Sequence, residues 1–266
     1  MNKKHLFILP ILLAFFAFQM QTDSTGFVKN DCIAAGERIE YRVHYGFISA
    51  AEAIVETDSK IYTVNNRPCF RANITGRTVG MAKWFTQVND TWQSWIDTTT
   101  FLPQQFYMNK KEGNYSTVDK YIFDHENDVV KSYELDDDHE KKIYKVPNNI
   151  QDVVSFSYLM RTYDFTKMQV GDVKGLKMFF EGDVYDVRVK YKGKEVVKTK
   201  YGKIQTLKLV PQLPKNNFFE DNEGLKIWVS DDANRIPIRI EVELKIGSLK
   251  MDFRGFSGLR NPIKFY

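Results

Sequence analysis

Hydrophobic and polar residues alternate one by one along much of the chain, the period of a strand with one buried face. In ERIEYRVHYGF, the residues Ile39, Tyr41, Val43, Tyr45 and Phe47 share a face. FRANI repeats the pattern with Phe70, Ala72 and Ile74, and TWQSWID sets Trp92, Ser94 and Ile96 against Thr91, Gln93 and Trp95. Further strands are predicted in QQFYMNK, DKYIFDH, DVVKSYEL and KKIYKV. Turn chemistry separates them at Asn65-Asn66, Glu112-Gly113-Asn114, Glu126-Asn127-Asp128 and Asp136-Asp137-Asp138.

One segment departs from this rhythm. After Pro147, the run IQDVVSFSYLMRTYDF places Ile150, Val153, Val154, Ser157, Tyr158 and Met160-Arg161 at helical spacing. A helix is expected near 150–163, with Asn148 or Asn149 as its N-cap and Asp152 at the positive end of the dipole. It joins two β-rich stretches, about 27–146 and 165–257. Strands resume in LKMFFEGDVYDVRVKYKGKE, with a turn expected at Lys192-Gly193-Lys194, and continue through KTKYGKIQTLKLVP. The fold class is all-β and mainly antiparallel, a single domain over 22–266 with one helix.

The C-terminal third holds two adjacent acids, Asp231 and Asp232. Leu225, Ile227 and Val229 alternate before them; Ile238, Ile240, Val242, Leu244 and Ile246 alternate after them. The apolar set then changes phase, to Leu249, Met251 and Phe253, and a bulge at Gly247 accounts for the one-residue shift. A five-residue connection between strands suits Asp and Asn, whose side chains satisfy free backbone N–H groups. A carboxylate dyad or metal corner is the competing interpretation, but no histidine or third acid lies nearby in sequence. Asp231, Asp232, Arg235 and Gly247 are therefore assigned to a structural turn, with Arg235 placed to pair with either acid.

The first 21 residues alter the compartment rather than the fold. Lys3 and Lys4 precede an apolar run from Leu6 to Phe18, the form of a secretory signal and too short for a comfortable span. The mature chain is expected to be exported, periplasmic or envelope-associated in a Gram-negative bacterium, without a transmembrane span. Loss of the two lysines leaves 36 basic against 34 acidic residues, a balance that argues against a nucleic-acid partner. In an oxidising compartment Cys32 and Cys69 are open to two interpretations, a disulfide or two separate buried thiols, and spacing does not choose between them.

No nucleophile elbow, phosphate loop, dinucleotide fingerprint or zinc-protease motif occurs. His5, His44, His125 and His139 share no ligand spacing, so neither metal nor cofactor is expected. Asp136-Asp137-Asp138-His139-Glu140 lacks the glycine and terminal glutamate of a calcium loop, and a solvated hairpin tip is the favoured assignment. Two stretches are candidate binding surfaces. Arg188, Lys190, Lys192 and Lys194 open a basic run that would attract anionic headgroups or polysaccharide, unless they only keep an edge soluble. Trp84, Phe85, Trp92 and Trp95 would stand at the mouth of a concavity holding a ligand, unless they pack as ordinary core.

An ordered set of short motifs adds to these observations. Gly36-Glu37, Trp95-Ile96-Asp97, Leu102-Pro103, Tyr121-Ile122-Phe123-Asp124 and Arg161 are followed by Gly193-Lys194-Glu195, Tyr201-Gly202-Lys203 and Leu209-Val210-Pro211. Trp228-Val229-Ser230-Asp231-Asp232, Arg235-x-Pro237 and Ile246-Gly247-Ser248 complete it. In this the chain resembles an exported bacterial family catalogued as domain-of-unknown-function family 3108, over about Gly36 to Phe253. The resemblance implies a curved sheet or half-open β-barrel wrapped around one α-helix, and brings no catalytic residues. By analogy with envelope carriers of that shape, the leading expectation is a non-enzymatic protein binding a lipid or other amphiphile. The alternatives are an assembly scaffold with a filled core and a protein or polysaccharide partner, or a hydrolase acting on envelope glycans or lipids.

Overall fold

The computed structural model describes residues 26–133, 140–212, 223–245 and 247–266. The predicted signal segment, the Asp136–His139 stretch and Ile246 lie outside them. The first meander comprises β1 (Arg38–Tyr45), β2 (Ile48–Val64), β3 (Arg67–Thr78), β4 (Asn89–Asp97), β5 (Pro103–Glu112), β6 (Tyr115–Asp124), β7 (Val129–Tyr133) and β8 (Glu140–Lys145). After helix α1 (Val153–Arg161) come β9 (Val173–Phe180), β10 (Asp183–Thr199), β11 (Gly202–Gln212), β12 (Leu225–Ser230), β13 (Pro237–Glu243) and β14 (Ser248–Ser257).

All of these strands belong to one antiparallel sheet, in the order β8-β7-β6-β5-β4-β3-β2-β1-β14-β13-β12-β11-β10-β9. Each meander therefore winds outward from the middle, where β1 pairs with β14. One face of each strand is buried, and the inward residues form a single core around the helix. The sheet is curled but not closed. Its last hairpin, β9–β10, carries Phe179 and Phe180 into the hollow of the first meander. Phe179 packs on Tyr121, Tyr144 and Phe123, with ring centroids 5.3, 5.1 and 6.3 Å away, and Phe180 stacks on Trp92 at 5.5 Å.

Helix α1 starts later than its asparagines suggest. Asn149 sits at φ +54° in a turn, and Gln151 is extended, bonded to Lys177 and Phe179 of β9. The N-cap is Asp152, whose carboxylate accepts from the Val154 and Ser155 N–H groups while Ser155 Oγ accepts from the Asp152 N–H. That reciprocal box fixes the first turn. Every helical residue but Ser157 is buried, so the helix is part of the core rather than a covering layer.

Two local expectations are corrected. Gly247 does not bulge a single strand: β13 and β14 are separate strands, joined by a reversal in which the Leu244 N–H reaches the Gly247 carbonyl. Val242 faces Leu249 and Ile240 faces Met251. Reversal through a loop of even length shifts the buried set from even to odd numbers, the same phase change a bulge produces. Lys192-Gly193-Lys194 is the converse case. No turn occurs there; β10 runs through it with a bulge between Tyr191 and Gly193, the glycine at φ +100°. The hairpin turn lies earlier, at Glu181 and Gly182, both at positive φ.

Candidate functional site

The concave side of the sheet's centre includes two very small inward residues, Ala53 and Gly76. On β2 and β3 these two stand beside Val55 and Ile74, whereas the flanking strands present Ile39, Tyr41 and Met251. Side chains of this size do not reach the helix, so a narrow slot is left between the sheet and α1. Its enclosed volume is about 60 Å³, against about 820 Å³ when the open space at its mouth is counted, and its walls are almost wholly apolar. Tyr158, Met160 and Phe165 form its other side.

Two cations reach the slot, and both are committed elsewhere. Arg161 forms a buried two-point ion pair with Glu37, and also donates to the carbonyls of Asn234 (3.0 Å) and Cys32 (3.0 Å). Arg235 donates to Asp31 (3.0 Å) and to the Arg161 carbonyl (3.0 Å). The Tyr41 hydroxyl is likewise engaged, donating to the Pro237 carbonyl at 3.0 Å. The Tyr158 hydroxyl differs. Its residue is buried, lines the slot and has no protein hydrogen-bond partner, and burial pushes it well above the ordinary tyrosine range. A buried hydroxyl without a partner carries a desolvation cost of roughly 1–3 kcal/mol.

The residues singled out in sequence do not converge. Trp92 is fully buried against Phe180, and Trp95, three positions on, faces the other side of β4. Trp84 and Phe85 project into solvent from the short 3-10 turn Gly80–Trp84 and its C-cap. None of the four lines the slot, so they do not form one mouth. The basic run is largely neutralised. Lys190 and Lys192 flank Glu223, Lys194 bonds to Asp231, and Lys208 bonds to Glu195. Arg188 is exposed on the same outward side.

Asp232 accepts from Ser230 Oγ (2.8 Å) and from the Asn234 and Arg235 N–H groups (2.9 and 3.1 Å), which folds the five-residue connection back on itself. Arg235, at φ +48°, turns away from both acids towards Asp31. Cys32 and Cys69 are free, buried thiols rather than a disulfide, and burial pushes them up to about 11 and about 12. No cluster of three or more histidine, cysteine or acidic side chains occurs among the described residues.

Two carboxyl groups are strongly shifted, and neither is in the slot. Burial pushes Asp152 up to about 7 against the opposing pull of its cap bonds and of Ser94 Oγ (2.6 Å). Burial and the neighbouring Asp90 carboxylate push Glu112 up to about 7. Beside that pair, the fully buried Lys110 is bonded to Glu181 at the tip of the β9–β10 hairpin. No sequence pattern marked this cluster, since its members come from β4, β5 and the β9–β10 turn.

The chain belongs to the family described as protein of unknown function DUF3108, whose profile matches residues 40–254. No curated protein matches it in sequence. Among solved structures it is similar to a β-barrel-like protein of domain of unknown function DUF1849 from Brucella abortus. The TM-score is 0.53 at 8% identity, over 85% of this chain and 98% of that one, which is a likeness of fold alone. Weaker likenesses are to a candidate exported protein with a YmcC-like fold from Bacteroides fragilis and a candidate lipoprotein from Parabacteroides distasonis. Their TM-scores are 0.33 and 0.34, at 11% and 10% identity, over 87% and 86% of this chain and 99% and 100% of theirs. Neither carries an argument about this chain. Among the described residues no helix is long and apolar enough to cross a membrane.

Proposed function

We propose that this family member is a non-enzymatic, exported protein of the Gram-negative envelope that holds a single apolar chain between its helix and its sheet. The slot is the observation that carries the proposal. Pockets that take ligands are mostly apolar with a few placed polar groups, and here the cleft is apolar, with Tyr158 in its wall carrying a buried, unpartnered hydroxyl. Its small enclosed volume favours the end of an acyl chain or similar linear group over a bulky ring system. Tyr158 would donate to a carbonyl or hydroxyl on that chain. With Arg161 and Arg235 already paired, the slot offers no free charge, so the ligand is neutral where it is enclosed.

Export rests on the N-terminal sequence, and the absence of an enzyme activity on where the shifted carboxyls lie. Asp152 serves a helix end and Glu112 stands outside the slot, so neither faces a bound chain. A glycan hydrolase would need two carboxyl groups flanking one substrate site.

The test is native mass spectrometry of protein exported in several lipid backgrounds and never refolded, followed by solvent extraction. A reproducible extra mass, lost on extraction and absent from Ala53→Leu, supports the carrier. A clean apo mass in every background overturns it and favours the scaffold with a filled core.

A further inference from the structure

One end of the sheet is apolar on its outside. The β1–β2 turn is two residues long, with Gly46 at φ +57° and Phe47 at the tip. Turn chemistry calls for glycine, asparagine or aspartate there, yet Phe47 is 96% exposed. The 3-10 turn Gly80–Trp84 lies beside it: the Val79 N–H donates to the Ala50 carbonyl, and Gly80 sits against Ser49. That turn buries none of its residues, and leaves Met81, Trp84 and Phe85 at 57%, 84% and 88% exposure. The β13–β14 turn completes this end, with the Gly46 N–H donating to the Ser248 carbonyl and Gly247 packed against the Tyr45 ring.

The three turns themselves carry charge of one sign. Residues 45–50, 79–88 and 244–248 contain Lys83 and Lys245 and no acid. Carboxylates border these turns from the strands: Glu52 is held by Arg42 (2.7 Å) and Arg77 (2.8 Å), Glu243 opposite Ser248 is paired with Lys226, and Glu112 bridges to Val88. Tryptophan and phenylalanine on projecting turns, flanked by lysines, have the chemistry of a group that settles into the headgroup region of a bilayer. A solvated protein partner would not require the absence of acids across three separate turns.

We propose that this end docks on an anionic lipid surface, with Phe47, Trp84 and Phe85 entering the interface and Lys83 and Lys245 meeting the headgroups. The inference stands apart from the slot: it rests on outward side chains, and holds whether or not a ligand is carried.

The experiment uses the full chain with vesicles of phosphatidylcholine, with and without phosphatidylglycerol, whose acyl chains are brominated near the headgroup. Native protein is compared with Trp84→Phe and with Phe47→Ser/Trp84→Ser/Phe85→Ser, all carrying the same N-terminal apolar stretch, so that its contribution cancels. Bromine is expected to quench the native tryptophan emission, and Trp84→Phe to lose most of that quenching. The triple variant is expected to partition about tenfold more weakly or worse, and removal of phosphatidylglycerol to weaken native binding. Unchanged quenching in Trp84→Phe overturns the docking, as does a native chain that ignores vesicles and dimerises through these residues. Equal binding to both lipid mixtures overturns the anionic preference.

Discussion

Glu37 and Arg161 are 124 positions apart and meet as a two-point ion pair sealed from water. The pair ties the residue before β1 to the last turn of the helix, and through Asn234 and Arg235 it also holds the β12–β13 connection. Removing one partner strands a buried charge, which costs about 3–5 kcal/mol, whereas replacing both with apolar groups of similar volume is far milder. Glu37→Gln is therefore expected to lower unfolding free energy by that amount in urea titration, and Glu37→Leu/Arg161→Met to recover much of it.

The Asp90–Glu112 pair gives stability a definite pH slope. Glu112 titrates near 7 in the folded chain, above its unfolded value, so the folded state retains a proton that the unfolded state gives up. Its contribution is intact below about pH 4.5 and is lost as pH rises towards 7. Asp152 acts in the same direction, so the difference from Glu112→Gln isolates one group. The variant is expected to be more stable than native by roughly 1 kcal/mol at pH 8, after allowance for partial exposure, and no more stable at pH 4. Denaturant midpoints at the two pH values check this.

Gly258 sits at φ +65°, where a Cβ would run into the carbonyl of Gly36. Both sides of that contact are backbone, and neither yields as a flexible side chain does. Gly258→Ala is expected to cost about 2–4 kcal/mol, measured by thermal or urea unfolding. Gly46→Ala meets open space, so it carries only the cost of its positive φ, about 1 kcal/mol.

Cys32 and Cys69 are buried thiols with raised pKa values, the opposite of a reactive cysteine. Neither is expected to react with iodoacetamide in the folded chain, and both in urea without reductant. Intact-mass analysis reads two added groups after unfolding. A disulfide would leave none.

Strands were legible wherever one face is buried, since a period of two survives any tertiary detail: Ile39, Tyr41 and Val43 all face inward. The helix was legible through its spacing, but its start was not. Asn148 and Asn149 read as the caps and Asp152 only as an acid suited to the dipole, and the Ser155 hydroxyl three residues on is what marks Asp152 as the cap. The β13–β14 reversal stayed hidden because Leu244-Lys245-Ile246-Gly247 carries a single turn residue. The small Ala53 and Gly76 beside the slot were visible as letters, but their meaning needed the helix above them. Residues 90, 110, 112 and 181 could not be linked from sequence, because the curl that brings them together is a property of the whole sheet.

The central seam also sets how the molecule responds to load. Arg38 faces Ser257 across β1 and β14, so the segments before one and after the other leave the sheet side by side. Tension applied between them falls on one residue pair at a time, as on a zip, rather than shearing the whole ladder at once. Ile39 and Tyr41 on one lip of that seam, and Met251 on the other, are also walls of the slot. Mechanical opening of the sheet and parting of the slot's walls are then the same event.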